Sequence, residues 1–129
     1  ITDNSNIDHW YLGGHSLGGA AAAMYAKKHP DKIDGLYFLP SYPSDSQSIK
    51  RAPYRVLSIS SERDGLSTQE KTAASGKKLP DTTVFEEIKG GNHAQFGMYG
   101  EQRGDRPAKI PAVKQQEEIV NVMLDWIKS

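Results

Sequence analysis

Residues 10–26 must turn sharply between two opposite backbone regimes. Trp10-Tyr11-Leu12 is a short apolar run of the kind that forms a strand, and Ala20-Ala21-Ala22-Ala23-Met24-Tyr25-Ala26 is an alanine-rich run of the kind that forms a helix. Between them lies Gly14-His15-Ser16-Leu17-Gly18. A chain that passes from strand to helix in so few residues brings two backbones close together. Glycines at 14 and 18 are expected to supply the clearance, because side chains there would clash with the neighbouring chain. The serine between them must then take a strained conformation that projects its hydroxyl outward. The helix that follows aims backbone N–H groups and the positive end of its dipole at the same point.

The rest of the chain alternates in kind. Residues 1–8 are polar and read as a loop or frayed end. A first strand is predicted over 9–13 and a helix from 17 to about 28, closed by His29-Pro30-Asp31. Gly35-Leu36-Tyr37-Phe38-Leu39 is a second, buried strand, and 40–52 is a Ser- and Pro-rich loop. A third strand covers 54–60, and a turn-forming segment, 61–66, follows it. Ser67-Thr68-Gln69-Glu70 fits a capping box for a helix that runs to about Leu79 before Pro80. A fourth strand covers 83–88 and leads into the tight turn Gly90-Gly91-Asn92-His93. A long loop, 94–111, precedes a last helix over 112–128. On it Ile119, Val120, Met123, Trp126 and Ile127 share one face, with Lys114, Glu117, Glu118, Asn121 and Asp125 mostly opposite. Strand and helix in alternation imply parallel strands joined by right-handed crossovers: an α/β fold with a parallel sheet of about four strands and flanking helices.

Three residues stand just past predicted strand ends: Ser16, Asp64 and His93. In open parallel sheets that edge is where ligands and catalytic groups gather. Their order, Ser then Asp then His, suits a nucleophile, an orienting acid and a base. Serine's hydroxyl is a weak nucleophile until a base removes its proton. His93 is the candidate base, Asp64 the group that orients it, and the Leu17 N–H one oxyanion donor. Glu62 is the rival acid; Asp64 is preferred because Gly65 follows directly and a helix cap comes soon after. Asp64 could equally serve as a plain turn residue, since Asp-Gly is a common turn pair. Phe96, Met98 and Tyr99 either line a pocket or anchor the loop they sit on.

Other classes find little support. With 16 basic and 16 acidic residues, the chain has no charge excess to draw it to nucleic acid or an acidic membrane surface. No apolar stretch in this segment approaches membrane-spanning length. There is no cysteine, hence no disulfide framework and no thiol chemistry. His9, His15, His29 and His93 share no metal-ligand spacing, so no metal is expected. Residues 13–19 match neither a dinucleotide-binding nor a phosphate-binding glycine loop, so no cofactor is expected either. His15 fills the variable position of the elbow and is expected to pack beside the sheet, His29 to lie exposed at a helix end, and His9 to be structural.

The elbow Gly-Gly-His-Ser-Leu-Gly-Gly, the segment 61–68 and the run Gly-Gly-Asn-His-Ala-Gln-Phe-Gly, with Tyr99-Gly100 and Gly104-Asp105, together resemble the α/β-hydrolase superfamily, and within it the dienelactone-hydrolase-like bacterial group. The resemblance covers nearly the whole chain. It implies esterase-like chemistry on a small-molecule ester or acyl substrate, with Ser16, Asp64 and His93 as a triad. A complete member also has strands and helices before the elbow, including the loop that supplies the second oxyanion donor. The resemblance therefore makes residues 1–129 a partial domain, the C-terminal half of the fold, and leaves location in the cell unreadable. The elbow strand would be an open edge through which the chain self-associates or binds the missing N-terminal half. Hydrolysis and acyl transfer are not separated by these residues, and a non-catalytic binding module on the same fold is the rival from another class.

Overall fold

The structure, a computed structural model, describes residues 8–41, 48–97 and 101–129. Four strands, β1 (Tyr11–His15), β2 (Gly35–Leu39), β3 (Arg55–Ser61) and β4 (Val84–Ile88), form one parallel sheet in the order β1-β2-β3-β4. Helix α1 (Leu17–Lys28) follows β1, α2 (Gln69–Ser75) follows β3, and α3 (Ala112–Lys128) closes the chain. All three parallel pairings join strands that are neighbours in sequence, so successive crossovers march in one direction across the sheet.

The apolar run of β2 is continuous, and residues 56–59 of β3 are all buried, because both faces of the sheet are covered. Alternate residues divide between two cores. Leu36, Phe38 and Val56 pack with Ala22, Ala23 and Ala26 of α1. Leu57 and Ile59 pack on the other face with Ile88, Phe96, and Ile119 and Trp126 of α3. Ala23 and Ala26 are wholly buried, so the alanine run brings α1 close against the sheet.

The first strand starts and ends two residues later than expected, and His15 is its last residue. Pairing decides this: Tyr11 lies opposite Gly35 and His15 opposite Leu39. Trp10, just before the strand, donates its N–H to the Asp34 carboxylate at 2.8 Å. The third and fourth strands each begin one residue late, and β3 extends to Ser61. The cap of α2 is Thr68, not Ser67: the Lys71 N–H donates to Thr68 Oγ1 at 3.4 Å, while the Ser67 hydroxyl donates to the Pro40 carbonyl at 3.3 Å. The expected helix to Leu79 is α2 followed by a 3-10 turn, Gly76–Lys78.

The predicted inner face of α3 is also corrected. Gln115, Ile119 and Trp126 are buried, with Val122 and Met123 packed at the margin. Val120 and Ile127 face solvent, at 53% and 38% exposure. Two contacts set this rotation. Gln115 is drawn inward by the backbone of Asn92 at one end. At the other, Arg55 lies 5.2 Å over the Trp126 ring and donates to the Trp126 carbonyl at 2.8 Å. A cation at the carbonyl end of a helix is also favoured by the helix dipole.

Ile119→Ala should therefore lower the unfolding free energy by about 2–5 kcal/mol, the usual result of emptying a packed core position. Val120→Ala should change it by no more than about 0.5 kcal/mol. Urea unfolding of the two variants checks the assignment, and the reverse order would refute it.

Candidate active site

The chain leaves β1 at His15 and enters α1 at Leu17, so Ser16 makes the whole turn. Its backbone sits at φ 57° and ψ −123°, the one positive φ outside glycine among the described residues. The Ser16 N–H donates to the Leu39 carbonyl of β2 at 3.1 Å, which ties the turn to the neighbouring strand. A Cβ at Gly14 would lie 2.3 Å from the carbonyl carbon of Gly18, so that position admits only glycine. The expected clash at Gly18 does not exist: a Cβ there meets open space. The second crowded position is Gly19, where a Cβ would lie 1.8 Å from Ser41 Oγ. That hydroxyl donates to the Gly14 carbonyl at 3.2 Å. Ser16 and Leu17 are exposed, the latter at 86%. No acidic side chain in the first turn of α1 offsets the positive end of the helix, and Leu17 supplies its first N–H.

The loop after β3 carries Asp64, which has no exposed surface. Its Oδ1 accepts the N–H groups of Leu66 at 2.8 Å and Ser67 at 2.7 Å. Its Oδ2 lies 2.8 Å from Nδ1 of His93, which is 3% exposed. A carboxylate can only accept, so Nδ1 carries the hydrogen and Nε2 is left to act as acceptor. Glu62 is committed elsewhere, accepting the Gly90 N–H at 3.2 Å.

The loop after β4 carries His93. Gly90 takes φ 75°, a conformation that favours glycine, and reverses the chain. Gln115 of α3 brackets Asn92, accepting its N–H at 3.2 Å and donating to its carbonyl at 2.9 Å. His93 then leads into a 3-10 turn, Ala94–Phe96.

Ser16, Asp64 and His93 thus stand at the C-terminal ends of β1, β3 and β4. Asp64 and His93 meet directly. Ser16 stands one residue beyond His15, whose ring lies 4.6 Å from that of His93 and stacks 5.8 Å from Phe96. Burial pushes the His15 imidazole below its usual range; nearby His93 pushes the same way, and Asp64 opposes. Phe96 is buried and anchors its loop against His15 and the α3 core. Met98 and Tyr99 lie outside the described residues. His29 is half-buried against Tyr25, its ring 4.6 Å away, and not fully exposed as expected. His9 is exposed, 3.6 Å from the Asp34 carboxylate.

One residue of the site escaped the sequence reading of roles. Asp105 accepts backbone N–H groups from Gly65 at 3.1 Å, His93 at 3.2 Å, Ala94 at 2.9 Å and Arg106 at 2.9 Å. Burial alone would raise its pKa, but these N–H groups outweigh it and hold the carboxyl below the ordinary range. Its only trace in the sequence is a Gly-Asp pair in a long loop.

The sequence pattern of the alpha/beta hydrolase family matches residues 1–117. Among solved structures, a predicted CIB-like hydrolase from Thermoplasma acidophilum is similar with a TM-score of 0.73 at 16% identity, over 97% of this chain and 53% of that one. A monoacylglycerol lipase from Paleococcus ferrophilus is similar with a TM-score of 0.55 at 17% identity, over 69% of this chain and 62% of that one. An alpha-beta serine hydrolase homologue from Coxiella burnetii gives 0.59 at 18% identity, over 70% and 44%. This chain spans little more than half the length of the Thermoplasma structure. None of the curated proteins matches it.

Two outcomes follow from this geometry. A non-glycine residue in so sparsely populated a conformation costs about 1–3 kcal/mol. Ser16→Gly should accordingly raise the unfolding free energy by about 1 kcal/mol or more, while Ser16→Ala leaves it nearly unchanged; urea unfolding of both reads the difference. The second concerns acid. The unfolded His15 has a pKa of about 6.5 and the folded one a lower value. The contribution of His15 is therefore complete above about pH 6.5 and is lost as pH falls towards the folded value, because the unfolded chain takes up the proton first. His15→Phe should remove that part of the acid-side decline in a series of unfolding midpoints against pH.

Proposed function

The chain belongs to the alpha/beta hydrolase family, and from that premise we propose that it carries the catalytic core of a serine hydrolase acting on carboxylic esters. The observation that carries this reading is the buried His93–Asp64 hydrogen bond at the sheet edge where strained Ser16 stands.

Each group has a step. His93 Nε2 takes the proton of Ser16 Oγ as that oxygen attacks the acyl carbonyl. The Leu17 N–H donates to the oxyanion that forms, assisted by the positive end of α1. His93 returns its proton to the leaving alcohol and an acyl-enzyme remains. Water, deprotonated by His93, attacks the acyl carbon; the proton passes back to Ser16 and the acid departs. Asp64 holds the imidazole in the Nδ1–H tautomer and favours its positive form. Two backbone N–H groups already fill Asp64 Oδ1, which directs Oδ2 at His93. Phe96, packed on His15, offers an apolar wall beside the site.

The second oxyanion donor and the rest of the pocket are assigned to a partner segment paired along β1. That strand is one edge of the sheet. The half of the Thermoplasma structure without a counterpart here is large enough to supply it.

A fluorophosphonate probe tests the reading on the protein that bears this sequence. Label is expected on the parent, none on Ser16→Ala, and labelling at least about 1,000-fold slower on His93→Ala. Equal labelling of parent and Ser16→Ala would sink Ser16 as nucleophile. No labelling of either would turn the reading to a binding module.

A further inference from the structure

On the footing of the serine-hydrolase reading above, we infer that Asp105 is a positioning residue: its carboxylate joins the loop that carries Asp64 to the loop that carries His93 and so sets the hydrogen bond between them.

Asp64 and His93 leave different strands. The bases of their loops are joined by the Glu62 N–H donating to the Ile88 carbonyl at 3.0 Å and the Arg63 N–H donating to the Gly91 carbonyl at 2.9 Å. Those bonds stop short of the two functional side chains. Asp105 acts beside both. Its Oδ1 takes the N–H of Gly65, next after Asp64, and the N–H of His93 itself. Its Oδ2 takes the N–H of Ala94, next after His93. One carboxylate thus brackets the histidine from behind and holds the acid loop from the side. Lattice-like convergence of this kind needs an acceptor at both oxygens. An amide in its place would turn an NH2 group towards backbone donors.

The strap that carries Asp105, residues 104–109, is laced to the same two loops. Arg106 donates from Nη2 to the carbonyls of Glu62 at 3.3 Å and Asp64 at 3.2 Å. Arg63 donates from Nε to the Pro107 carbonyl. Asn92 donates from Nδ2 to the Arg106 carbonyl at 2.9 Å, and the Lys109 N–H donates to the Gly90 carbonyl at 2.7 Å. The fit is tight: a Cβ on Gly65 would lie 2.2 Å from the Gly104 carbonyl oxygen. The strap supplies nothing to the reacting atoms in the mechanism proposed here. Its effect passes through the position of His93.

The test reads the Asp64–His93 hydrogen bond directly, by proton NMR of the far-downfield Nδ1–H resonance of His93, assigned by its loss in His93→Ala. The folded parent chain should show it. Asp105→Asn should lose or broaden it while the rest of the spectrum stays dispersed, and fluorophosphonate labelling should slow by about 100-fold, the usual result of displacing a reacting group by about 1 Å. Leu36→Val, a destabilised core variant on the far face of the sheet, should keep both signals. If Asp105→Asn does not fold, Gly65→Ala decides: it keeps the carboxylate but displaces the strap, and it should lose the resonance too. A folded Asp105→Asn or Gly65→Ala with the parent's resonance would overturn the inference, as would a parent chain without the resonance. The two readings fail separately. If no chain takes the probe but the resonance, present in the parent and in Leu36→Val, is lost in the strap variants, the serine-hydrolase reading falls and the positioning by Asp105 stands.

Discussion

A carboxylate with no exposed surface must find donors on every side, and around Asp64 the chain provides them. Two backbone N–H groups fill one oxygen and the His93 ring fills the other. With Oδ1 engaged by the backbone, Oδ2 faces the His93 ring. Their bond is made between loops that leave separate strands, so it exists only if β3 and β4 keep their register and both loops keep their shape. The pairing of Ser61 with Ile88 brings the two strand ends level. The sheet thus sets the scale of the site, and the loops set its last ångström.

The elbow obeys a different constraint. Its serine is strained because strand and helix meet with no linker, and Gly14 lets them meet. Such strain persists only where surrounding contacts over-determine the backbone. Here those contacts are the Ser16 N–H on Leu39 and the Ser41 hydroxyl on Gly14. A local conformation that is unfavourable by itself is held by the neighbouring strand, and the gain is an exposed hydroxyl at the positive end of α1.

Sequence patterns conveyed what depends on neighbours in the chain. The four strands, the helices and the order Ser, Asp, His all follow from local runs and from turns at strand ends, and strand limits were off by at most about two residues. What escaped depends on contacts between distant segments. Nothing near Gly18 reveals that the crowded glycine is Gly19, because the atom that crowds it belongs to Ser41. Ser67 has the spacing of a cap, but its hydroxyl is turned to the Pro40 carbonyl and Thr68 caps α2. The apolar residues of α3 suit more than one inner face, and a polar residue, Gln115, selects among them by binding Asn92. Asp105 shows the limit most plainly. Three of its four partners lie 11, 12 and 40 residues away, and no local pattern marks a carboxylate that will gather their backbone N–H groups.

The strand that carries none of the candidate site residues links the elbow to the loop that bears Asp64. β2 lies between β1 and β3, and the residues at its C-terminal end bind both neighbours. The Leu39 carbonyl takes the Ser16 N–H, and the Ser41 hydroxyl holds Gly14. Pro40, fully buried between them, accepts the Ser67 hydroxyl at 3.3 Å, from the loop that presents Asp64. Proline has no N–H, so at this position its carbonyl can be committed outward with no ladder donor left unpaired. Serine and acid thus stand on the two strands that flank β2, each tied to its end by a hydrogen bond. His93 reaches Asp64 from the end of β4, one strand further out, and its ring lies beside that of His15, the residue before Ser16. Candidate residues at three strand ends are in this way positioned by local contacts at Leu39, Asp64 and Asp105, each made by backbone donors whose partners are buried or half-buried.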